Sequence, residues 1–195
     1  MTRRERHARL FNRIAAPYAW FFSRQVRAYA ACFDLGRSAL PDPRGRTALD
    51  IGCGTGAFTA ALRREGWDAR GVDVAEAMAG RARRRGLECA VGDALEGLDF
   101  PARSFDLVSA AYVAHGLGRD DRLALFREMK RLARDTVLVH DYNAHRTLAA
   151  TIVEALEGGD YVNFIATGAE DLRAVVSSVR VVPVGRQSAW YVGRP

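Results

Sequence analysis

From Thr47 to His140, short continuous apolar runs alternate with stretches whose apolar residues recur at helical spacing. The runs predict buried strands and the periodic stretches predict amphipathic helices packed against them. Strands are expected at "TALDI" (47–51), "ARGVDV" (69–74), "LECAVGD" (87–93), "FDLVSAA" (105–111) and "TVLVH" (136–140), the last bounded by Asp135 and Asp141. Helices are expected over Ala57–Glu65, closed by Gly66, and over Ala75–Arg85. The second of these has Glu76 in its first turn, arginines in its last and Gly86 beyond, which suits both the helix dipole and a glycine C-cap. A third, Asp121–Arg134, carries Leu123, Phe126, Met129 and Leu132 on one face, with Asp120 as its expected cap.

Beyond His140 the rhythm changes. The pattern predicts a helix over 146–157 ending at Gly158–Gly159, then an irregular "DYVNFIA" (160–166). Thr167 and Glu170 form a capping box that opens a helix to Ser178. "VRVVPV", a "GRQ" turn and "SAWYVG" predict a closing antiparallel hairpin. Strand–helix alternation implies an α/β fold with a doubly wound, mostly parallel sheet and helices on both faces. Five strands and the hairpin make it seven-stranded. Residues 1–45 stand apart as an aromatic-rich helical arm with a proline-containing connection, "LPDPRG", and the 195 residues are expected to form a single domain.

Composition removes several function classes. Hydrophobic residues make up 49% and charged residues 27%, the balance of an ordinary globular chain. The net charge of +6 is carried by arginine, because Lys130 is the sole lysine, and a bias this complete is compositional. The basic runs at Arg3–Arg9 and Arg81–Arg85 lack interleaved aromatics that would stack on bases, so no nucleic-acid partner is expected. Cys32, Cys53 and Cys89 are odd in number and have no metal-ligand spacing, which argues against a disulfide framework and a metal site. No apolar run is long enough to insert in a membrane, and the N-terminus lacks a cleavage signal; the expectation is a reduced, cytoplasmic protein.

The candidate chemistry begins at "LDIGCGTG" (49–56), where Gly52, Gly54 and Gly56 follow the first strand. A glycine-rich turn there presents bare backbone at the carboxyl edge of the sheet. Gly52, Gly54 and Ala57 also satisfy the dinucleotide fingerprint, and Asp73 at the end of the second strand suits the ribose of either kind of nucleoside. Asp50, two residues before the first glycine, favours an ammonium over the loop and disfavours a pyrophosphate. Asp93, ending the third strand, is placed to accept from an exocyclic adenine amine. A nicotinamide-dependent oxidoreductase shares the loop, but the Tyr-x-x-x-Lys pair is missing, since Lys130 sits in an amphipathic helix. A non-catalytic binder of the same ligand remains an alternative.

At these residues the sequence resembles the class I S-adenosylmethionine-dependent methyltransferases, over roughly residues 46–140. "LDIGCGTG", "GVDVAEAM" and "VGDALEGLDFPARSFDLVSAAYVAHGL" are similar to successive family motifs. The resemblance implies a Rossmann-like fold and S-adenosylmethionine as cofactor, with S-adenosylhomocysteine as product. It places Asp50, Gly52, Cys53, Gly54 and Gly56 around the methionine portion and Asp73 on the ribose hydroxyls. Val74, Met78, Asp93 and Ala94 fall at the adenine, with Ala110 and Ala111 at the sulfonium end. The acceptor implied is a small molecule facing the ends of strands four and five. His115 and His140 are the candidate bases there, with Tyr142 beside them and Tyr161 and Phe164 on the route to strand six. "LFNRIAAPYAWFF" is similar to the entry segment of small-molecule methyltransferases, including the ubiquinone/menaquinone-biosynthesis type; Tyr18 and the 1–45 arm would cover the cofactor.

Overall fold

The computed structural model describes residues 21–143 and 160–195. Its elements are α1 (Phe22–Gly36), β1 (Thr47–Ile51), α2 (Ala57–Arg64), β2 (Asp68–Asp73), α3 (Glu76–Arg83), β3 (Cys89–Val91), β4 (Phe105–Ala111), α4 (Arg119–Leu132), β5 (Ala133–Tyr142), α5 (Tyr161–Arg173), β6 (Ser178–Pro183) and β7 (Ser188–Arg194). The seven strands form one sheet in the order β3-β2-β1-β4-β5-β7-β6. The pairs β1–β2, β1–β4, β2–β3 and β4–β5 are parallel, while β7 runs antiparallel to both β5 and β6. This is the doubly wound, Rossmann-like sheet with an antiparallel hairpin that the strand–helix alternation predicts.

The period of two along each strand divides the core between the two faces. Leu49, Ile51, Val108, Val137 and Val139 pack with Phe126, Met129 and Leu132 of α4 and with Phe164 and Leu172 of α5. Ala48, Leu107, Leu138 and Trp190 face the other way, against Phe33 of α1 and Phe58 and Leu62 of α2. Phe33 stacks on Phe58 at 5.7 Å and meets Trp190 edge-on at 4.9 Å, which docks α1 on the sheet. Asp50, Ser109 and His140 are all buried polar positions toward the carboxyl end of their strands. The sheet therefore becomes polar at that edge.

Several sequence expectations are corrected. α4 starts at Arg119 behind Gly118, with no side-chain cap, so Asp120 lies in its first turn. The helix ends at Leu132 because Ala133 and Arg134 already belong to β5, which extends to Tyr142. β3 is confined to Cys89–Val91. "DYVNFIA" is helical, and Thr167 lies inside α5, where its hydroxyl donates to Asn163 O at 3.0 Å and contacts Asp171 Oδ2 at 3.1 Å. Burial of Tyr161, Phe164, Gly168, Asp171 and Leu172 supplies the helical face that overrides the capping-box reading. The helix expected over 146–157 and the first part of the arm lie outside the described residues.

A buried ion pair joins α5 to α4. The fully buried Arg122 guanidinium donates to Asp171 Oδ2 at 3.0 and 2.8 Å, to Leu117 O at 3.0 Å and to Asp160 Oδ2 at 3.2 Å. Removing Asp171 takes the partner of two guanidinium N–H groups and leaves the buried charge with the Asp160 carboxylate alone, at 3.2 Å. Asp171→Ala is therefore expected to destabilise the protein by about 3–5 kcal/mol, measured by urea unfolding; a loss within error of zero would show the network to be energetically idle.

Candidate active site

β1 delivers the chain into the glycine loop, where the Gly52 and Cys53 amides both donate to Val72 O, at 2.8 and 3.0 Å. Gly54 has φ +55°, and a Cβ built there would stand in open space. That space belongs to a cavity of about 730 Å³ running along the carboxyl edge of the sheet. Gly56 serves packing instead: at φ +86°, its Cβ would lie 2.3 Å from Leu87 Cδ1. The glycines thus meet different needs, one toward the cavity and one toward the neighbouring helix.

Three carboxylates line the cavity. Asp50 is wholly buried; Thr59 donates to it at 2.7 Å and Ser109 at 3.2 Å. Burial outweighs those two hydrogen bonds and lifts its pKa to about 7. Asp73 accepts from the Gly54 amide at 2.7 Å and the Ala75 amide at 2.8 Å, and burial again pushes its pKa upward. The residue predicted to hold a ribose therefore also holds the loop. Asp93 accepts from the Leu95 amide at 2.9 Å. Val74, Met78, Gly92 and Ala94 complete this end, with Val74 exposed and Met78 buried beside Ala75.

The other end is aromatic. Tyr29, Phe58, Tyr112, His115, His140 and Tyr142 line it. Their rings meet edge-on or tilted: Tyr29 and Tyr112 lie 5.2 and 4.9 Å from His140, and Tyr142 lies 4.9 Å from His115. Tyr112 sits at φ +54°, a left-handed conformation that costs a non-glycine residue energy and turns the chain at the end of β4 into the cavity. Ala111 lines the cavity as expected of that strand end, whereas Ala110 is fully buried in the core and does not. Phe164 is also a core residue, edge-on to Tyr191, and Tyr161 is buried against Tyr142; neither lines the cavity. Tyr18 lies outside the described residues.

The two histidines differ in kind. Trp190 Nε1–H, which can only donate, lies 2.8 Å from His140 Nδ1, so that nitrogen accepts and the ring proton sits on Nε2. Burial lowers the His140 pKa to about 4, against a smaller opposing pull from Asp141. With its lone pair engaged, His140 is a fixed donor and loses the base role assigned from sequence. His115 Nδ1 lies 2.7 Å from Asp141 Oδ1, and its backbone amide donates to Oδ2 at 3.2 Å. The buried Asp141 carboxylate fixes the proton on Nδ1 and makes Nε2 the basic nitrogen. Asp141 entered the sequence reading only as a strand boundary, since nothing in the order of residues places it beside His115. Tyr29 and Gln25 of α1 and Tyr112 were likewise missed.

Residues 48–136 match the family model of a methyltransferase domain. Over these residues the chain carries a class I S-adenosylmethionine-dependent methyltransferase domain. Among this family's curated members, the ubiquinone biosynthesis O-methyltransferase of Methylococcus capsulatus is 31% identical over 139 residues, covering 68% of this chain and 57% of that protein. The demethylmenaquinone methyltransferase of Bacillus licheniformis is 33% identical over 100 residues, covering 47% and 42%. The chain thus spans about half the length of these relatives. A Thermotoga maritima S-adenosylmethionine-dependent methyltransferase, described as a possible histamine N-methyltransferase, superposes with a TM-score of 0.72 over 95% of this chain and 98% of its own. At 19% identity that likeness speaks for the methyltransferase fold alone. Among the described residues no group of side chains could hold a metal ion, and no helix is long and apolar enough to cross a membrane.

The buried pair of titrating groups sets opposing pH dependences. His140 has a folded pKa of about 4 against 6.5 when free, so the unfolded chain takes the proton first and stability falls as pH drops from 6.5 towards 4. Asp50, at about 7 against 3.8, keeps a proton that the unfolded chain releases, so its contribution falls as pH rises across that window. The slopes oppose each other in the native protein. His140→Gln is expected to gain about 3 kcal/mol relative to wild type between neutral pH and the His140 titration, read from urea unfolding at each pH. A constant difference would mean that His140 is not held neutral.

Proposed function

We propose that the protein transfers a methyl group from S-adenosylmethionine to a small molecule whose reacting atom carries a proton. The observation that supports this most is a single cavity with the bare Gly54 backbone and three carboxylates at one end and the Asp141–His115 pair in an aromatic wall at the other. The residues present fit the cofactor. Asp50 and the glycine-loop amides would hold its methionine portion, an ammonium there drawing the raised Asp50 pKa back down. Asp73 would accept from the ribose, each oxygen keeping a lone pair beyond its backbone bond. Val74 and Met78 would flank the adenine and Asp93 would accept from its amine. Bound there, the cofactor supplies an electrophilic methyl on a cationic sulfur.

The protein's own work is alignment, exclusion of water and removal of one proton. His115 Nε2 would take the acceptor's proton, and Asp141 would stabilise the resulting imidazolium. His140 Nε2–H would orient the acceptor by donating to it. Tyr29 and Phe58 on one side and Tyr112 and Tyr142 on the other present ring faces and edges that suit a flat acceptor and a passing positive charge. The Methylococcus relative is an O-methyltransferase by name, and a histidine–carboxylate base suits an acceptor hydroxyl.

Side-by-side calorimetry should show binding of S-adenosylmethionine and S-adenosylhomocysteine but not of NAD(H); preference for NAD(H) would overturn the proposal. Asp73→Ala should weaken binding by about 1.5–3 kcal/mol, the worth of charge-assisted hydrogen bonds, and Asp73→Asn by less. For the chemistry, His115→Ala should lower turnover by about a hundredfold or more with S-adenosylhomocysteine affinity retained. Asp141→Asn should slow the reaction and displace the acid limb of its pH profile. An unshifted profile in both variants would leave His115 a structural residue.

A further inference from the structure

Beneath the glycine loop lies a feature that methyl transfer does not use. Cys53 Sγ and Cys89 Sγ are 2.9 Å apart, both thiols are buried, and Ala79, Ala82 and Leu87 surround them. Gly71 of β2, which pairs with Cys89, makes the space: a Cβ there would lie 2.6 Å from Cys53 Sγ. Cys53 alone of the two lines the cavity, between the amides that hold the loop. Cys89 is anchored in β3, and the Gly71 amide donates to the preceding Glu88 O at 2.8 Å.

We propose that Cys53 and Cys89 are an oxidisable dithiol, closed to a disulfide by hydrogen peroxide entering through the cofactor cavity, and that closure weakens cofactor binding. Cys53 would attack the peroxide O–O bond, becoming a sulfenic acid and releasing water. Cys89 would then displace the second oxygen as water, so both sulfurs are oxidised and one peroxide is reduced to two waters. A disulfide closes at about 2.05 Å, so the sulfurs travel about 0.9 Å from their present 2.9 Å. Cys53 belongs to the loop that faces the cofactor, so part of the displacement falls on that loop. The neighbouring Cys89 thiol, and then burial, hold Cys53 well above its usual pKa. The pair therefore rests reduced and reacts slowly.

The full chain is treated with hydrogen peroxide, with and without S-adenosylhomocysteine, and digested without reductant. The expected product is a Cys53–Cys89 cross-linked peptide, lighter than the two thiol peptides by two hydrogens, reversed by dithiothreitol and slowed by S-adenosylhomocysteine. Oxidised protein should bind S-adenosylhomocysteine about tenfold more weakly, a loss of about 1.4 kcal/mol. Before treatment Cys89→Ser should bind like reduced wild type, and with peroxide it should form no cross-link, its Cys53 stopping at the sulfenic acid; Cys32→Ser should retain the full response. Absence of the cross-link, oxidation of Cys53 without it, or unchanged affinity after closure would each overturn the proposal. The affinity arm rests on the cofactor reading. If the reduced protein fails to bind S-adenosylhomocysteine, that reading fails and takes the linkage with it, while the peptide map still decides the disulfide.

Discussion

The cavity exists because the Asp73 carboxylate, at the end of β2, takes the Gly54 amide on one oxygen and the Ala75 amide on the other. One side chain thereby fixes the glycine loop after β1 and the first turn towards α3. Left-handed glycines give the loop its path but no rigidity, since they are the residues with most freedom to lose. Rigidity comes from outside, through Asp73 and through Val72 O, which accepts from two successive loop amides. A short element built this way can be bare towards a ligand and still hold its shape.

Asp50 and Asp141 show how burial divides labour among carboxylates. Asp50 accepts from the Thr59 and Ser109 hydroxyls and from the Thr59 backbone, yet burial lifts it to about 7, so it stands ready to gain from an incoming cation. Asp141 accepts from the His115 ring and from the His115 and Tyr142 amides, and so serves as a support for its neighbour. The same contrast separates the histidines. An indole N–H behind His140 makes its other ring nitrogen a donor, and a carboxylate behind His115 leaves Nε2 the nitrogen without the proton. In each pair the residue type is shared and the partner decides the chemistry.

The arrangement has a mechanical side. Arg122 links Asp171 of α5 and Asp160 to the Leu117 carbonyl, two residues after His115, while the Asp160 amide donates to His115 O at 2.9 Å. The short turn carrying the candidate base is thus tied to the helix that follows the acceptor side of the cavity. Tyr112, held at positive φ immediately before this turn, has its amide bonded to His140 O at 2.8 Å, which joins β4 and β5 where the two histidines diverge.

The sequence by itself determined the sheet and its cofactor edge. Alternating apolar runs and helical periods act over a few neighbouring residues, so "TALDI" and "FDLVSAA" mark β1 and β4 to the residue, and Asp50, Gly54, Asp73 and Asp93 share one edge because each sits at or near a strand's carboxyl end. What local pattern could not reach was decided by contacts between distant segments. "DYVNFIA" became helical because α5 buries one face against the sheet and α4, a reward that appears only on packing. Ala110 and Phe164 passed into the core through the same packing. The roles of His140 and His115 hung on Trp190, 50 residues away, and Asp141, 26 residues away. A protonation state depends on the partner and the burial that folding provides, and neither is written in a residue's neighbours along the chain.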